Sequence, residues 1–292
     1  MSKKARASTF MFLSAIYFAV THALVKFMSD IPFYELVFFR AMVSFVMCWV
    51  SLSLLKIPKW GVDKKNLILR GLFGTVALNL YFYSLQTLPL ATAVTLQYLS
   101  PIFTVLVSGF VLQEGAKLLQ WIFFVGAFCG VLILKGFDAR IEMIPLILAV
   151  TASLFSGIAY TWVRKLGKTD HPLVVVMYFP LVTIPVVGPW ALSHWIWPRG
   201  WQWLGVLAIG FFTQLAQVNM TKAFQMEKAS EVGLIKYFGV VIAVFVGWLI
   251  FNEPLTWGAI IGISVILGCI ILGSKLPKSS LFKMERYFRT KS

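Results

Sequence analysis

A lysine at position 236 lies about eight residues inside an apolar run from roughly 229 to 251, about 12 Å from the end of a helix rising 1.5 Å per residue. A lysine near the middle of a bilayer costs about 2.5–3.5 kcal/mol on insertion scales, so it must face a cavity or a partner rather than lipid. The chemistry open to it is attraction of an anionic group such as a carboxylate. Two plainer uses compete with that one. Snorkelling recovers only about 6 Å of side chain, and Glu231 is five residues away, off the i, i+4 face, so neither accounts for Lys236 as well as a solute does. Polar and aromatic side chains recur at similar depth in both halves of the chain. Asn79, Tyr81, Tyr83, Gln86, Thr95, Gln97, Tyr98 and Ser100 are answered by Gln214, Gln217, Asn219 and Tyr237. The set is too dense for a lipid-facing surface. Some members are expected to be interhelical hydrogen bonds worth around 0.6 kcal/mol each, and about half to touch a solute. Rings beside amides suit an organic metabolite better than a bare ion. The expected solute contacts are Lys236, Gln97, Tyr98, Tyr237, Asn79, Tyr83, Gln214, Gln217 and His22.

His22 is the one histidine inside an apolar run, and it could carry a proton, although a lone helical histidine is more often a packing group. Glu35 and Glu231 sit near the ends of runs, which leaves carboxylate-based ion coupling without a candidate. Arg40 is read as a structural or vestibule residue that satisfies loop carbonyls or pairs with Glu35. Lys26 and Asp30, spaced i, i+4, are read as an exposed pair of little worth. Cys48, Cys129 and Cys269 lie singly in apolar runs, with neither disulfide nor zinc spacing. No DDxxD, HExxH or Ser/His/Asp set is present, so neither an enzyme, a metal site nor a cofactor is expected.

Of 292 residues, 59% are apolar and 13% charged, which excludes a water-soluble globular fold. Breaks at charges and at Pro or Gly give ten spans, at about 8–28, 33–55, 66–86, 90–112, 117–135, 142–163, 173–194, 202–222, 229–251 and 256–274. The net charge of +15 reflects cytoplasmic loops, not nucleic-acid binding. With the amino terminus inside, twenty basic residues, Arg70 among them, fall on the cytoplasmic side and three, Lys135, Arg140 and Arg199, fall outside. A multi-pass protein of the cell membrane with both termini cytoplasmic follows. The basic tail, 275–292, could lie on anionic lipid.

The halves resemble each other. At an offset of 139, Gln86 meets Gln225, Gln97 meets Lys236, Tyr98 meets Tyr237 and Glu114 meets Glu253. Five spans per half is odd, so the repeats, 8–135 and 142–274, enter the membrane from opposite sides. The expected fold is therefore all-α, with ten transmembrane helices as two inverted five-helix repeats around a central cavity, as in transporters. Glu114 and Glu253 precede helix starts and are expected to cap them. Gly126/Gly130 and Gly258/Gly262 fit close helix packing within a monomer, with a homodimer contact as the alternative.

Three stretches, Pro32–Arg40, Leu90–Glu114 and Glu227–Glu253, resemble the drug/metabolite transporter superfamily, specifically its ten-helix EamA-type members. Residues 83–91 and 227–230 look most like a branch that includes carriers of citrate, S-adenosylmethionine and riboflavin. The resemblance implies a cavity lined by spans 1, 3, 4, 6, 8 and 9, with spans 5 and 10 peripheral. Pro180 stands where the first repeat has Arg40, and Val240 where it has Pro101, so the halves are not equivalent. The function expected is secondary transport of a small organic metabolite, anionic or carboxylate-bearing, by alternating access. An exporter of amino acids or other neutral or zwitterionic metabolites is the alternative. A channel or membrane-embedded enzyme is the rival from another class.

Overall fold

A computed structural model describes residues 3–111, 118–137, 141–226 and 238–275 of the chain. The described residues form helices α1 (Lys3–Phe27), α2 (Phe33–Leu54), α3 (Lys64–Thr87), α4 (Leu90–Gln97), α5 (Ser100–Val111), α6 (Leu118–Phe137), α7 (Met143–Leu166), α8 (Pro172–Ser193), α9 (Gln202–Met226), α10 (Phe238–Phe251) and α11 (Trp257–Lys275). Eight of the ten expected spans correspond to one helix each, and of the span expected over 229–251 the described part, Phe238–Phe251, is helical. The span expected as continuous over 90–112 is broken into α4 and α5. Pro101 has no amide hydrogen for the Gln97 carbonyl, and its ring crowds that carbonyl. The chain tightens instead, with the Tyr98 amide on Thr95 O at 3.0 Å and the Leu99 amide on Leu96 O at 3.0 Å.

The packing shows a pseudo-twofold. α1 packs on α9 as α3 packs on α7, and α2 on α9 as α3 on α8. The partnerships α2 with α8, α4 with α10, and α6 with α11 map onto themselves when the halves are exchanged. With five spans per half, the axis lies in the membrane plane and the repeats are inverted. α6 and α11 pair at the periphery, where Gly126 comes up against Cys269 and Gly130 against Ile266. Those glycines are thus used inside the monomer. Phe110, Leu132, Leu204 and Trp248 are exposed around the outside, as a lipid-facing surface requires.

The two ends of the bundle differ. At one end Trp190, Trp197, Trp201 and Trp203 are all exposed, an aromatic belt of the kind that sits at a membrane interface. At this tryptophan-rich end Glu253 closes the gap between repeats. Its carboxylate accepts the Leu90 amide at 2.8 and 3.1 Å, at the N-terminus of α4, and lies 2.8 Å from Lys26 Nζ. Lys26 Nζ also donates to Leu88 O at 2.7 Å. The expected exposed pair with Asp30 is therefore corrected: Lys26 bridges repeats, because a carboxylate at a helix N-terminus offers a deeper counter-charge. Glu253 does cap a helix, but the one in the other repeat. At the opposite, lysine-rich end, Asp170 plays a comparable part by accepting the Val62 amide at 2.6 Å and the Asp63 amide at 3.3 Å. Asp63 caps α3, and hydrogen bonding from Asn66 holds its carboxyl below the usual range.

Candidate functional site: a central cavity with two arginines

On a helix, residues spaced by three and four share a face, and the faces turned to the centre of this bundle enclose about 760 Å³ of empty space, part of it open to solvent. α1 contributes Phe18, Thr21 and His22. α3 contributes the longest stripe, running from Arg70 through Gly74 and Leu78 to Tyr81. The break between α4 and α5 presents Gln97 and Tyr98, while α7 supplies Ser156 and Tyr160 and α9 supplies Thr213 and Gln217. α2 and α8 add one large side chain each to the centre, Arg40 and Phe179. Spans 1, 3, 4, 6 and 8 line the cavity as expected; spans 2 and 7 do so as well.

Arg40 and Arg70 come from opposite ends. Arg40 is seven residues into α2 from the tryptophan-rich end, about 10.5 Å deep, and Arg70 six residues into α3 from the lysine-rich end, about 9 Å deep. Both are 2% exposed. They meet on one ring: the Arg40 guanidinium carbon is 5.1 Å and the Arg70 carbon 4.6 Å from the Phe179 centroid, so the two cations are no more than about 10 Å apart. Arg40 also lies 5.6 Å from the Phe82 ring. Glycine at position 74 makes room, since a Cβ there would come within 2.9 Å of the Phe179 ring and 3.2 Å of Arg70 Nη1. Nε and Nη1 of both arginines are buried with no hydrogen-bond partner among the described residues. At an effective dielectric of 20, two like charges at such a separation repel by roughly 2 kcal/mol, and each ring contact returns about 0.5–2 kcal/mol. The rings soften the burial of two cations without neutralising it.

The neutral groups lie around this pair. The Tyr81 hydroxyl is 3.3–3.4 Å from the two His22 ring nitrogens, with the rings edge to face at 5.2 Å. Gln97 Nε2 donates to Ser156 Oγ at 2.7 Å across the repeats, and its Oε1 is buried without a partner among the described residues, as is that of Gln217. The Tyr98 hydroxyl packs against Gly239 of α10, where a Cβ would collide with it.

Of the residues expected from sequence to contact solute, the structure brings His22, Gln97, Tyr98 and Gln217 together at the cavity. Asn79, Tyr83 and Gln214 are not among its lining residues. Asn79 donates to Thr75 O on its own helix, Tyr83 packs edge to face on Phe33, and Gln214 donates to Cys48 Sγ at 2.8 Å. Lys236 and Tyr237 lie outside the described residues, as do Glu114, Glu231, Asp138, Arg140 and the tail beyond Lys275. Arg40 does not pair with Glu35. The Glu35 carboxylate turns to the tryptophan-rich end and accepts the Ile196 amide at 3.0 Å, while Arg40 reaches the cavity. Arg70, counted from sequence among the loop charges, is instead buried inside the span. The signal for it was the helical period: Tyr81, Leu78, Gly74 and Arg70 recur at intervals of three and four on one face of α3.

The sequence pattern of the EamA-like transporter family matches residues 5–135 and again 143–274. The chain is similar to the pseudopaline exporter CntI of Pseudomonas aeruginosa, with 30% identity over 264 residues that span 89% of this chain and 93% of that one. It is also similar to the riboflavin transporter of Vibrio cholerae, 28% identical over 187 residues and 63% of each chain. One solved crystal structure superposes with a TM-score of 0.69 at 18% identity, covering 96% of this chain and 99% of its own, which establishes likeness of fold. Two tandem matches, an inverted pair of five-span repeats and a cavity between them agree: the chain belongs to the EamA-like transporter family.

Proposed function

We propose that this chain is a secondary transporter that carries a small organic metabolite with negative charge across the cell membrane by alternating access, with both termini in the cytoplasm. The observation that carries the charge is the pair of buried, hydrogen-bond-deficient guanidiniums, Arg40 and Arg70, in the central cavity. A guanidinium matches a carboxylate or phosphate with two parallel hydrogen bonds, and an unpaired buried cation is expensive unless a ligand relieves it. Lys236, the repeat counterpart of Gln97, is proposed to add a third positive group. Gln97, Tyr98, Gln217 and the His22–Tyr81 pair are proposed to orient the neutral part of the solute. Alternating access draws its support from the inverted repeats, because exchanging the roles of two similar halves produces two conformations open to opposite sides. Relatives that export pseudopaline and transport riboflavin support an organic cargo.

The test is a thermal-shift screen of the purified protein against carboxylates, amino acids, nucleosides and flavins, followed by transport of the stabilising compound in proteoliposomes. Acidic compounds should raise the melting temperature. Arg40→Gln, Arg70→Gln and Lys236→Gln should each weaken that shift. Stabilisation by cations, or by neutral compounds equally in wild type and in all three variants, would refute the anionic reading.

A further inference from the structure

Arg40 and Arg70 enter the cavity on separate helices from separate ends, yet both rest on Phe179. Each keeps Nε and Nη1 without a hydrogen-bond partner among the described residues. That makes two forks, not one. A planar guanidinium offers parallel donors that suit one carboxylate or one face of a phosphate, so the cavity has places for two such engagements.

The described cavity lining contains no Asp or Glu. Three buried or half-buried carboxylates among the described residues are committed elsewhere: Glu35 to the Ile196 amide, Glu253 to Lys26 and the Leu90 amide, and Asp170 to the Val62 and Asp63 amides. Among the described residues no carboxylate supplies counter-charge to the two arginines, which leaves that role to an anionic solute. A solute with one negative charge would satisfy one guanidinium and leave the other desolvated, within about 10 Å of it and unpaired. Phe179 is already engaged by both arginines, so the uncharged body of the solute is left to the other wall, where the His22–Tyr81 edge-to-face pair and Tyr98 present rings.

We propose that the transported metabolite carries at least two negative charges, one engaged by Arg40 and one by Arg70, with an uncharged organic body against the His22, Tyr81 and Tyr98 wall. This rests on the anionic reading given above and narrows it to a dianion class. Two chemistries share that property, a dicarboxylate and a phosphate monoester.

The experiment compares four probes of similar body on the purified full-length protein by calorimetric titration near pH 8, where carboxylates and phosphate monoesters are fully ionised. Phenylsuccinate carries two carboxylates, phenyl phosphate a dianionic phosphate, 4-phenylbutyrate one carboxylate, and 4-phenylbutyramide none. At least one dianion should bind about 10- to 100-fold more tightly than phenylbutyrate, the gain of one further charge-assisted engagement. Which dianion does so distinguishes dicarboxylate from phosphate. Arg40→Gln and Arg70→Gln should each lower the dianion's affinity by about tenfold or more, toward that of phenylbutyrate for the wild type. Arg→Lys at each position, which keeps the charge, should retain more of the preference and shows that a lost preference is not misfolding.

Phenylbutyrate binding as tightly as both dianions to the wild type would overturn this proposal and leave the anionic reading standing. Phenylbutyramide binding as tightly as all three acids would overturn both. Failure of both dianions to bind while phenylbutyrate does would also overturn it, and since these comparisons use the wild type alone, they do not depend on how any variant folds.

Discussion

Removing the charge of Glu253 should open the tryptophan-rich end of the transporter. Its carboxylate joins three elements: it receives the Leu90 amide at the start of α4, the Lys26 ammonium at the end of α1, and it precedes α11. Both partners of the ion pair are only 15% exposed at the side chain, so solvent screens the pair weakly. Breaking a fully buried pair costs about 3–5 kcal/mol and an exposed one less than about 1 kcal/mol, so an intermediate loss of about 2 kcal/mol is expected for Glu253→Gln. Glutamine still accepts from the Leu90 amide, which confines the loss to the charge. If the contacts exist only when this end is closed, about 2 kcal/mol shifts the closed-to-open ratio by about 30-fold. The assay places one cysteine at Ala77, a cavity-lining position, after replacing Cys48, Cys129 and Cys269, and follows its reaction with a membrane-impermeant thiol reagent added from the tryptophan-rich side. Labelling should accelerate by about 10- to 30-fold in Glu253→Gln, and Lys26→Met should do the same. Unchanged labelling in both variants would refute the argument that this pair holds the end closed.

Other expectations follow from single contacts. Gly239→Ala should lower the melting temperature by an amount equivalent to about 1–3 kcal/mol because the new Cβ meets the Tyr98 hydroxyl, and Tyr98→Phe in the same chain should recover part of the loss. Asp170→Asn weakens acceptance of the Val62 and Asp63 amides; limited proteolysis at 56–63 should quicken while the helices stay intact. His171 caps α8 by accepting the Leu173 amide at Nδ1, and burial together with the nearby Lys222 charge holds its pKa below the ordinary histidine value. Protonation thus favours the unfolded chain: the cap's contribution is complete above about pH 6.5 and is lost as pH falls through the lower folded value. Melting curves from about pH 8 to about pH 5 should show this decline, and His171→Asn, which caps without titrating, should flatten it. For orientation, labels near Gln86, Asp138 and Arg199 should react from outside and those near Lys64, Lys168 and Lys283 from inside; cytoplasmic reaction of the 195–201 loop would break the topology.

Hydropathy located the spans to within a few residues, because a bilayer imposes one length and one polarity on every crossing. α2 over Phe33–Leu54 against an expected 33–55, and α8 over Pro172–Ser193 against 173–194, show how little tertiary context moves those bounds. The inverted repeat was legible for the same reason, since an odd count of crossings leaves only one way to relate the halves. The family could be named from local motifs, Pro32–Arg40 and Leu90–Glu114 among them, and the match over both halves agrees. What hydropathy does not encode is azimuth, the direction a side chain takes around its helix. Asn79 and Tyr81 are equally polar and two residues apart; one turns its amide back to its own backbone and the other meets His22 in the cavity.

Azimuth also explains why Arg70 was counted with the loop charges and why Arg40 was expected to face Glu35 rather than the cavity. Charge counting treats a basic residue near a span end as a loop residue, which is sound when the side chain extends toward water. Arg70 is six residues inside α3, close enough to the end to be counted that way, but its face is the one carrying Gly74, Leu78 and Tyr81. A flexible side chain on that face is drawn inward, and Gly74 gives it the room. Arg40 starts from the other end and has buried Ser44, another small residue, four positions further on. A cation placed one to two turns inside a span, with a small residue four positions further along the same face, is therefore better assigned to the interior than to the loop. Applied to α3, that rule selects Arg70 over Lys64 and Lys65, which open the helix at its exposed end and have no glycine four positions on.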